Sequence, residues 1–524
     1  MRKITFLLLL ASCVLLASVS YQFKGSKLFI LGLDAYDEVE IEIEGKKSVL
    51  RTSELVIPWR KNYNTTLVLT PIKDNVRGEK VRLYIDASKD RPPSVRLKVP
   101  SYVPLGKLVL DLSVEDDWDE PQMLRFSVYL DGVRIDPPKD NKLVLDTFFM
   151  HSGERRLRIV CRDSGSNVVD QTYRFVVTPL PPAPPRLGQG KILSSRVHRI
   201  YVVQDGTIQT YETRSNELRE QFAFVCDLDA AGNESFPALH VGETDLAEFQ
   251  SPIVMNLNSS CSLSSEHSVF GKVVVPADQT VVVRAGSTLR LNAGCELLVR
   301  GTLVLQGGSK LIGPGSLSVV DSGRLIVMGG TIETNVSIDG ATTVWFSDVD
   351  LSKTNLRIGR SLLFAMKSVR VDRLNLENTR KIWIDSSNFK ALEISSCHDV
   401  VILNSKMSQL KVSRNSRVRM HSCSITSTGT AMSVSDLSIL EIVDSWVSGK
   451  TGVNVENFSI FRARSSQINA DTALSASGYS VIDSFASVFA GTRALWLRDT
   501  RFTFSKTQIL GGTTKLGVVE FVER

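Results

Sequence analysis

The C-terminal half of the chain carries short apolar-x-apolar units that recur with a period near 20 residues. The pattern starts at about Val273 and continues to the end of the printed sequence. Because a strand alternates between two faces, both apolar residues of a unit point to one side and the middle residue points to the other. One family of units predicts twelve coils, and its first positions are Val281, Leu303, Leu325, Val344, Phe364, Ile382, Val400, Val418, Leu440, Phe461, Ile482 and Phe502.

Two further families of units fall between those of the first. One runs from Leu351 to Ile509, and the other runs from the pair Leu356/Ile358 to the pair Leu516/Val518. Three inward-facing strands in each coil of about 20 residues predict a parallel β-helix with three sheets. A helical solenoid would need 3.6-residue periodicity over runs of about ten residues, and the sequence shows no such run here.

The residues before this repeat predict β-sandwich modules. Segment 21–90 alternates apolar and polar residues and predicts a small β-sandwich, which ends near residues 90–93. In segment 91–178, Asp131-Gly132 separates two alternating strands, which is typical of a tight hairpin. Segment 179–245 begins with a proline cluster that predicts a stiff linker, and a short β module follows it.

Three resemblances to known families extend this interpretation. The residues at 281–299 and the repeat after them resemble the right-handed parallel β-helices of the pectin-lyase-like superfamily. The Asp131-Gly132 hairpin and the strands after it resemble bacterial Ig-like modules, and segment 223–238 resembles the end of a fibronectin type III domain. The chain is therefore expected to be all-β, with N-terminal β-sandwich modules followed by a three-sheet right-handed parallel β-helix of about twelve coils over residues 265–524.

The first 20 residues have the pattern of an export signal. Arg2 and Lys3 precede an apolar stretch, and the small residues Ser18 and Ser20 suit a cleavage site before Tyr21. An uncleaved anchor and a lipoprotein signal at position 13 are the alternatives. We expect an extracytoplasmic protein that is secreted, periplasmic or on the cell surface, with no membrane span in the mature chain.

Composition excludes some function classes. The 62 Lys and Arg residues and 56 Asp and Glu residues give a formal charge of +6, and the basic residues are scattered, so nucleic acid is not an expected partner. The cysteines form no CxxC motif, which argues against a zinc site and favours buried free thiols over a disulfide. The six histidines are isolated, and surface or corner positions are expected for them.

Enzymatic cleavage of polysaccharide is the activity that the superfamily resemblance raises, and the sequence offers few residues for it. Asp348 and Asp350 are the only candidates for an acid and base pair. We favour a solvated strand end for them, because no further Asp joins them from the adjacent coils. The outward positions Arg419, Glu441 and Arg462 alternate in sign, which predicts stacked ion pairs instead of a cation-binding row.

One acidic run is a candidate metal site. The segment 115–120 holds five carboxylates in six residues, and Asp116, Asp117 and Asp119 are its candidate ligands. Carboxylate oxygens suit Ca²⁺, so calcium is the one cofactor considered, and an exposed loop is the alternative.

The outward column of the first sheet is apolar through its first seven coils, where polar residues are expected. Two explanations remain open: either the fibronectin-like module or segment 240–270 covers this stripe, or it is a binding face on which Trp345 and Trp383 stack against sugar rings. The stripe would run about 29 Å. Its members are Val282, Val304, Ile326, Trp345, Ala365, Trp383 and Val401.

Two functional hypotheses follow from the sequence. The favoured one is a non-catalytic exported protein in which sandwich modules form a stalk and the β-helix binds a polysaccharide or a cell-surface protein. The alternative is a polysaccharide lyase or glycoside hydrolase whose site residues are too dispersed to recognise. A groove with converging carboxylates or an unpaired Arg or Lys would favour the enzyme, and flat ladders would favour the binding protein.

Overall fold

The structure is a computed structural model that describes residues 19–24, 27–52, 55–59, 63–87, 91–164, 167–188, 190–242, 246–249, 253–254 and 256–524. Most of the predicted export signal, including its cysteine at position 13, lies outside these residues, as does residue 90 of the expected domain boundary. The described residues form strands, turns and two short 3-10 helices, and no α-helix occurs among them. No helix long and apolar enough to cross a membrane was found in this part of the chain.

The chain divides into two compact units. One comprises Met1–Thr147 with Ser152–Val177, and the other comprises Phe148–His151 with Thr178–Arg524.

The first unit begins with two antiparallel sheets, ordered β1-β2-β5 and β4-β3-β6-β7, with β8 also paired to β6. Their inner faces share one apolar core that includes Val39 and Ile41, in agreement with the alternation in β3. The strands are β1 (Ser20–Lys24), β2 (Lys27–Leu31), β3 (Glu38–Ile43), β4 (Lys46–Arg51), β5 (Val56–Pro58), β6 (Thr65–Lys73), β7 (Val76–Arg77) and β8 (Val81–Ile85).

Two more sheets follow in the same unit, ordered β10-β16-β15-β12-β13 and β14-β11-β9. The expected hairpin joins β12 to β13, and both Asp131 and Gly132 have positive φ, as a type I′ turn requires. The strands are β9 (Ser94–Leu97), β10 (Tyr102–Val103), β11 (Lys107–Glu115), β12 (Arg125–Leu130), β13 (Val133–Ile135), β14 (Lys142–Asp146), β15 (Gly153–Arg162) and β16 (Val168–Val177), and the 3-10 helices are Pro121–Met123 and Thr147–Phe149.

The second unit starts with a proline-rich segment and a short module whose four-stranded sheet is ordered β20-β19-β21-β22. We call this sheet with its turns the short module. Its strands and the preceding hairpin are β17 (Leu187–Gly188), β18 (Lys191–Ile192), β19 (Val197–Gln204), β20 (Thr207–Thr213), β21 (Phe222–Leu228) and β22 (Ala238–Val241).

The remainder is a β-solenoid of about 13 turns from residue 261 onward. Equivalent strands of successive coils pair in parallel, as in β24 with β27 and β27 with β30. The strands are β23 (Ala247–Glu248), β24 (Cys261–Leu263), β25 (Glu266–Val269), β26 (Lys272–Val275), β27 (Thr280–Val283), β28 (Thr288–Leu291), β29 (Glu296–Val299), β30 (Thr302–Leu305), β31 (Lys310–Val320), β32 (Arg324–Asp339), β33 (Thr343–Asp350), β34 (Leu356–Gly359), β35 (Leu363–Lys367), β36 (Arg370–Glu377), β37 (Lys381–Asp385), β38 (Asn388–Ser395), β39 (Asp399–Leu403), β40 (Lys406–Ser413), β41 (Arg417–His421), β42 (Ser424–Thr426), β43 (Thr430–Val434), β44 (Ile439–Val443), β45 (Trp446–Val455), β46 (Ile460–Arg464), β47 (Gln467–Ala476), β48 (Val481–Phe485), β49 (Val488–Ser505) and β50 (Gln508–Glu523).

The predicted coil register is confirmed along the first sheet. Val281 pairs with Leu303, Leu303 with Leu325, and the series continues to Phe502. One coil was missed, because Cys261 pairs with Val281 and precedes the expected start. The apolar residues of the three families fill a continuous interior.

The sequence-based prediction is wrong for the last unit of the third family, which was expected to point its apolar residues Leu516 and Val518 into the interior. Leu495 pairs with Thr513 and not with Leu516, and register shifts interrupt the pairing of β49 with β50. Leu516 and Val518 are exposed. The shifts displace these side chains from the interior, since one residue of slip reverses the facing of a strand.

The cysteines of the described residues are buried and unpaired, as expected. Burial raises the pKa of the Cys423 thiol to about 12, so this group stays protonated at neutral pH. It takes a place in an interior row that serine occupies in the neighbouring coils, in which Ser405 precedes it and Ser445 follows.

Candidate functional site

The apolar stripe on the outside of the first sheet is covered by the short module. Its residues pair in register from coil to coil, from Val282 to Val401. They form one apolar cluster with residues of the module that include Tyr201, Phe224 and Phe236. The stripe and the apolar face of the module therefore remove each other from water, which stabilises their contact.

Trp345 and Trp383 lie inside this contact. Trp345 is 7% exposed and Trp383 is 1% exposed. The ring of Phe224 packs edge to face on both, with centroids 5.4 Å from Trp345 and 5.7 Å from Trp383. In this structure the two indoles therefore form no open platform for a sugar ring, because the module occupies the face that would receive it.

A closed cluster of charges borders the covered indoles. Lys381 Nζ lies 2.9 Å from Glu234 Oε2 and also pairs with Asp399, while Arg199 and the hydroxyl of Tyr201 bind the same Glu234 carboxylate. Burial raises the pKa of Glu234, but Lys381, Tyr201 and Arg199 together outweigh it, so that the pKa is lowered. The carboxylate stays ionised and fully engaged, and the cluster holds the module on the solenoid.

A second ladder of the first sheet runs beside the covered stripe and faces the proline-rich segment. We call residues 180–186 the strap. Two cavities lie between the strap and this ladder, one of about 500 Å³ beside Trp345 and one of about 210 Å³ beside His421, and Ala183 and Pro184 line both. The ladder consists of Met328, Ser347, Lys367, Asp385, Leu403 and His421.

The smaller cavity contains a neutral imidazole. His421 is 8% exposed, and its Nδ1 has no hydrogen-bond partner among the described residues. Burial, with a contribution from Arg419, lowers the pKa of His421 to about 4. Nearby, Asp385 Oδ1 accepts hydrogen bonds from Asn404 Nδ2 at 2.9 Å and from Ser386 Oγ at 3.1 Å.

The expectation of surface or corner positions is wrong for most histidines. His198 is fully buried, and its Nδ1 lies 2.8 Å from Asp227 Oδ1. His240, His267 and His421 are also buried.

Asp348 and Asp350 lack the geometry of an acid and base pair. Both are exposed, and Asp348 occupies a left-handed turn with φ of 52°. Asp350 Oδ1 accepts the backbone N–H of Ser352 at 2.8 Å, and hydrogen bonds from Ser352 lower the pKa of Asp350. A general acid needs a raised pKa, so Asp350 is unsuited to that role.

The carboxylates of the acidic run hold the turn in which they lie. Asp116 Oδ1 accepts the backbone N–H of Trp118 at 2.9 Å and that of Asp119 at 2.5 Å. Asp119 Oδ1 accepts the hydroxyl of Ser164 at 2.8 Å, and Asp117 Oδ1 accepts the N–H of Arg91 at 3.2 Å. Among the described residues, no group of three or more metal-ligating side chains is arranged around a common point.

The charged outward column of the later coils is paired, as the alternation of signs predicts. Arg462 lies 3.5 Å from Glu441 and 3.2 Å from Asp483 along the ladder. This part of the first sheet is therefore a row of ion pairs and not a convergent set of carboxylates.

The second sheet carries a flat polar face with one exposed indole. Trp446 is 43% exposed, a larger fraction than for any other tryptophan among the described residues. In the ladder it lies between Ser424 and Gln467, and the adjacent outward ladder runs through Ser448 and Asn469. Together these outward residues form what we call the Trp446 face, which consists of Lys406, Ser424, Thr426, Trp446, Ser448, Gln467 and Asn469.

Sequence reasoning missed this face. Trp446 opens β45 immediately after the buried Ser445, and alternation along the strand places the indole outward. The anomaly of seven apolar outward residues drew attention to the first sheet instead. A single aromatic residue among polar outward positions was the available signal.

No protein-family model and no curated protein matches the sequence significantly. Membership of the pectin-lyase-like superfamily therefore remains an expectation.

Solved structures offer distant similarities. The fibronectin type III-like modules of Clostridium thermocellum CbhA align with 13% identity over 32% of this chain and 94% of that one, at a TM-score of 0.15. The Bacteroides ovatus protein SGBP-B of a mixed-linkage glucan utilization locus, in complex with a heptasaccharide, aligns with 14% identity over 34% and 52%, at a TM-score of 0.15. A Ca²⁺-stabilized ice-binding adhesin of an Antarctic bacterium aligns with 12% identity over 44% and 73%, at a TM-score of 0.16. At these scores the similarities carry no argument about function.

Proposed function

We propose that the chain is an exported, extracytoplasmic binding protein whose solenoid holds a glycan on the Trp446 face. The observation that carries the proposal is an exposed indole in the middle of a rigid, polar sheet. We propose no catalytic step, since Asp350 is held ionised and the charged column around Arg462 is paired.

The chemistry of the face suits a sugar chain. An indole offers a flat apolar surface to the C–H groups of a pyranose ring. Gln467 and Asn469 each offer both a donor and an acceptor, and hydroxyls at Ser424 and Ser448 can do the same. Sugar hydroxyls need such paired donors and acceptors when they leave water.

The geometry of the face suits an extended polymer. The ladder from Lys406 to Gln467 spans four coils, and the three steps between its ends cover about 14 Å at the usual spacing between parallel strands. Both edges of each strand are hydrogen-bonded to neighbouring coils, so the side chains project from a stiff backbone. Pre-organisation of this kind lowers the entropy lost on binding.

A glycan array tests the proposal. We expect the full chain to bind at least one polysaccharide class and Trp446→Ala to weaken that binding by tenfold or more. Phe458→Ala is the matched control, because Phe458 is an exposed aromatic residue of the solenoid that lies in the turn between β45 and β46 and not on the second sheet. Equal binding by the wild-type chain and Trp446→Ala, or equal losses in both variants, would contradict the proposal.

A second candidate function, binding of a cell-surface protein, rests on an apolar ridge at one corner of the solenoid. Leu437, Phe458 and Tyr479 are 61%, 60% and 67% exposed and all have positive φ. The rings of Phe458 and Tyr479 stack with centroids 5.6 Å apart. Large apolar residues in the left-handed region carry a conformational cost and a solvation cost, which the fold alone does not explain.

Cell-binding measurements separate the two functions. If the ridge binds a protein, protease treatment of target cells removes the binding and the double variant Phe458→Ala/Tyr479→Ala reduces it. Glycosidase treatment and Trp446→Ala then have no effect. The opposite pattern supports the glycan site and removes the ridge as the contact.

A further inference from the structure

The larger strap cavity has features of a built ligand site, and it is separate from the Trp446 face. It lies between the strap, the short module and the solenoid, all within the second unit. Its volume of about 500 Å³ falls within the range of small-molecule sites, which is roughly 300–1,000 Å³. Trp345, one of the two tryptophans that the sequence offers as candidate ligand contacts, forms part of its wall.

The charges around this cavity have one sign. Lys367 lines it from the solenoid and Arg186 from the strap. The described residues that line it include no Asp or Glu, and neither cation has a carboxylate within ion-pair distance in the described part of the chain. Lys367 Nζ lies 6.0 Å from the ring centroid of Phe236, a contact that leaves its N–H donors available.

The remaining walls are apolar and stiff. Met328 and Leu239 line the cavity together with Trp345, and Pro184 and Pro185 of the strap line it as well. Proline has a fixed φ, so the strap loses little conformational entropy when a ligand binds under it. A cavity with apolar walls and two cations at its rim complements a molecule with an apolar ring and a negative charge.

We propose that this cavity binds a small organic carboxylate that carries a ring. The carboxylate pairs with Lys367 and Arg186. The ring packs between Met328 and Leu239, and it touches Trp345 only where that largely covered indole lines the cavity. Arg186 is suited to bidentate contact with a carboxylate. A uronic acid and an aromatic acid share this chemistry, and they are the two sources to distinguish.

Calorimetric titration of the full chain tests the site with four probes. Glucuronate and 4-hydroxybenzoate are the two acids, and glucose and 4-hydroxybenzyl alcohol are their uncharged counterparts. We expect one acid to bind and its uncharged counterpart to bind at least tenfold more weakly. Absence of binding by both acids, or equal binding of an acid and its counterpart, overturns the proposal.

Variants locate the binding. Lys367→Met is expected to weaken it tenfold or more, while Lys353→Met, on an exposed lysine paired with Glu333, leaves it unchanged. Arg186→Gln removes the other cation at an exposed position of the strap, so its affinity for the acid still tests the site if Lys367→Met fails to fold. Unchanged acid binding by Arg186→Gln and by a folded Lys367→Met overturns the proposal. Trp446→Ala should leave acid binding intact, so the two proposed sites succeed or fail separately.

Discussion

Inside the solenoid, serine hydroxyls at the turns satisfy backbone N–H groups of the neighbouring coil. Ser445 Oγ accepts the N–H of Cys423 at 3.2 Å and donates to the carbonyl of Val443 at 2.9 Å. A buried N–H without a partner would destabilise the coil, so each hydroxyl contributes through the group that it satisfies. The inward serine row is thus structural.

Replacing one of these hydroxyls should weaken the solenoid measurably. We expect Ser445→Ala to lower the free energy of unfolding by about 1–2 kcal/mol, because the N–H of Cys423 loses its acceptor. Ser433→Ala, on an outward position of the third sheet, is the control and should change it by less than about 0.5 kcal/mol. Equal effects in urea unfolding would show that the row carries no special role.

The buried imidazole of His421 makes stability depend on pH. Its pKa in the folded chain is about 4, against a reference value of 6.5, so the unfolded chain binds a proton that the folded chain does not. Below pH 6.5 the free energy of unfolding should therefore fall as pH falls, by up to about 3 kcal/mol from this group when pH 4 is reached.

The comparison of two variants isolates this contribution. His421→Leu should remove the part of the pH dependence between 6.5 and 4 that this imidazole contributes, while His398→Gln, on an exposed histidine, should retain it. The measurement is the unfolding midpoint across that pH range. If the unfolding midpoint of the wild-type chain changed with pH as steeply as that of His421→Leu, His421 would not have the lowered pKa assigned to it.

A second row of inward serines shows what residue-level reasoning missed. Ser416, Ser438 and Ser459 form it, and the N–H of Ser416 reaches Ser438 Oγ at 3.2 Å. These residues follow turns with positive φ at Asn415, Leu437 and Phe458. Leucine and phenylalanine are poor sequence signals for that backbone conformation, so the corner was not apparent from the residue types.

At the scale of the element, alternation was enough to predict the coils. The third sheet buries Leu392 and Ile394 in one coil and Leu410 and Val412 in the next, in the expected register. The prediction missed the coil that begins at Cys261, and its register failed at the last coil, where bulges between β49 and β50 shift the pairing. A bulge depends on local backbone geometry that a two-residue period does not encode.

A charge placed inside the third sheet should prevent the coils from stacking. Ile394 and Val412 are fully buried, and an unpaired carboxylate at either position costs several kcal/mol. We expect Ile394→Asp to abolish cooperative thermal unfolding of the solenoid. Glu393→Asp, at the adjacent outward position, is the control. Similar melting of the wild-type chain, Ile394→Asp and Glu393→Asp would contradict the register assigned to the third sheet.

At the scale of the whole molecule, the short module of the second unit covers the apolar stripe on the first sheet of the solenoid. The sequence predicts that the apolar stripe needs a cover or a ligand, and it names the fibronectin-like module as one candidate. It could not decide between them, because the covering residues Tyr201 and Phe224 are distant in sequence and their sheet has no pattern specific to this contact. Only the packing of the described residues distinguishes the covered Trp383 from the exposed Trp446.

The covered and exposed indoles should therefore respond differently to truncation. We expect Trp383→Ala to lower the free energy of unfolding of the second unit by about 3–5 kcal/mol, because it leaves a cavity between the module and the solenoid. Trp446→Ala should leave it nearly unchanged, since the ring is exposed. Thermal unfolding of the two variants checks the contrast, and a stable Trp383→Ala chain would mean that the module does not pack on this ring.

The most direct test of the proposed binding face is chemical footprinting of the tryptophans with and without a glycan from the array. Trp446 should be oxidised rapidly by N-bromosuccinimide in the free chain and protected when the glycan is bound, while Trp383 should react slowly in both states. Mass spectrometry of the peptides reports each residue separately. Oxidation of Trp446 at the same rate in both states, or protection at Trp383 instead, would contradict the account.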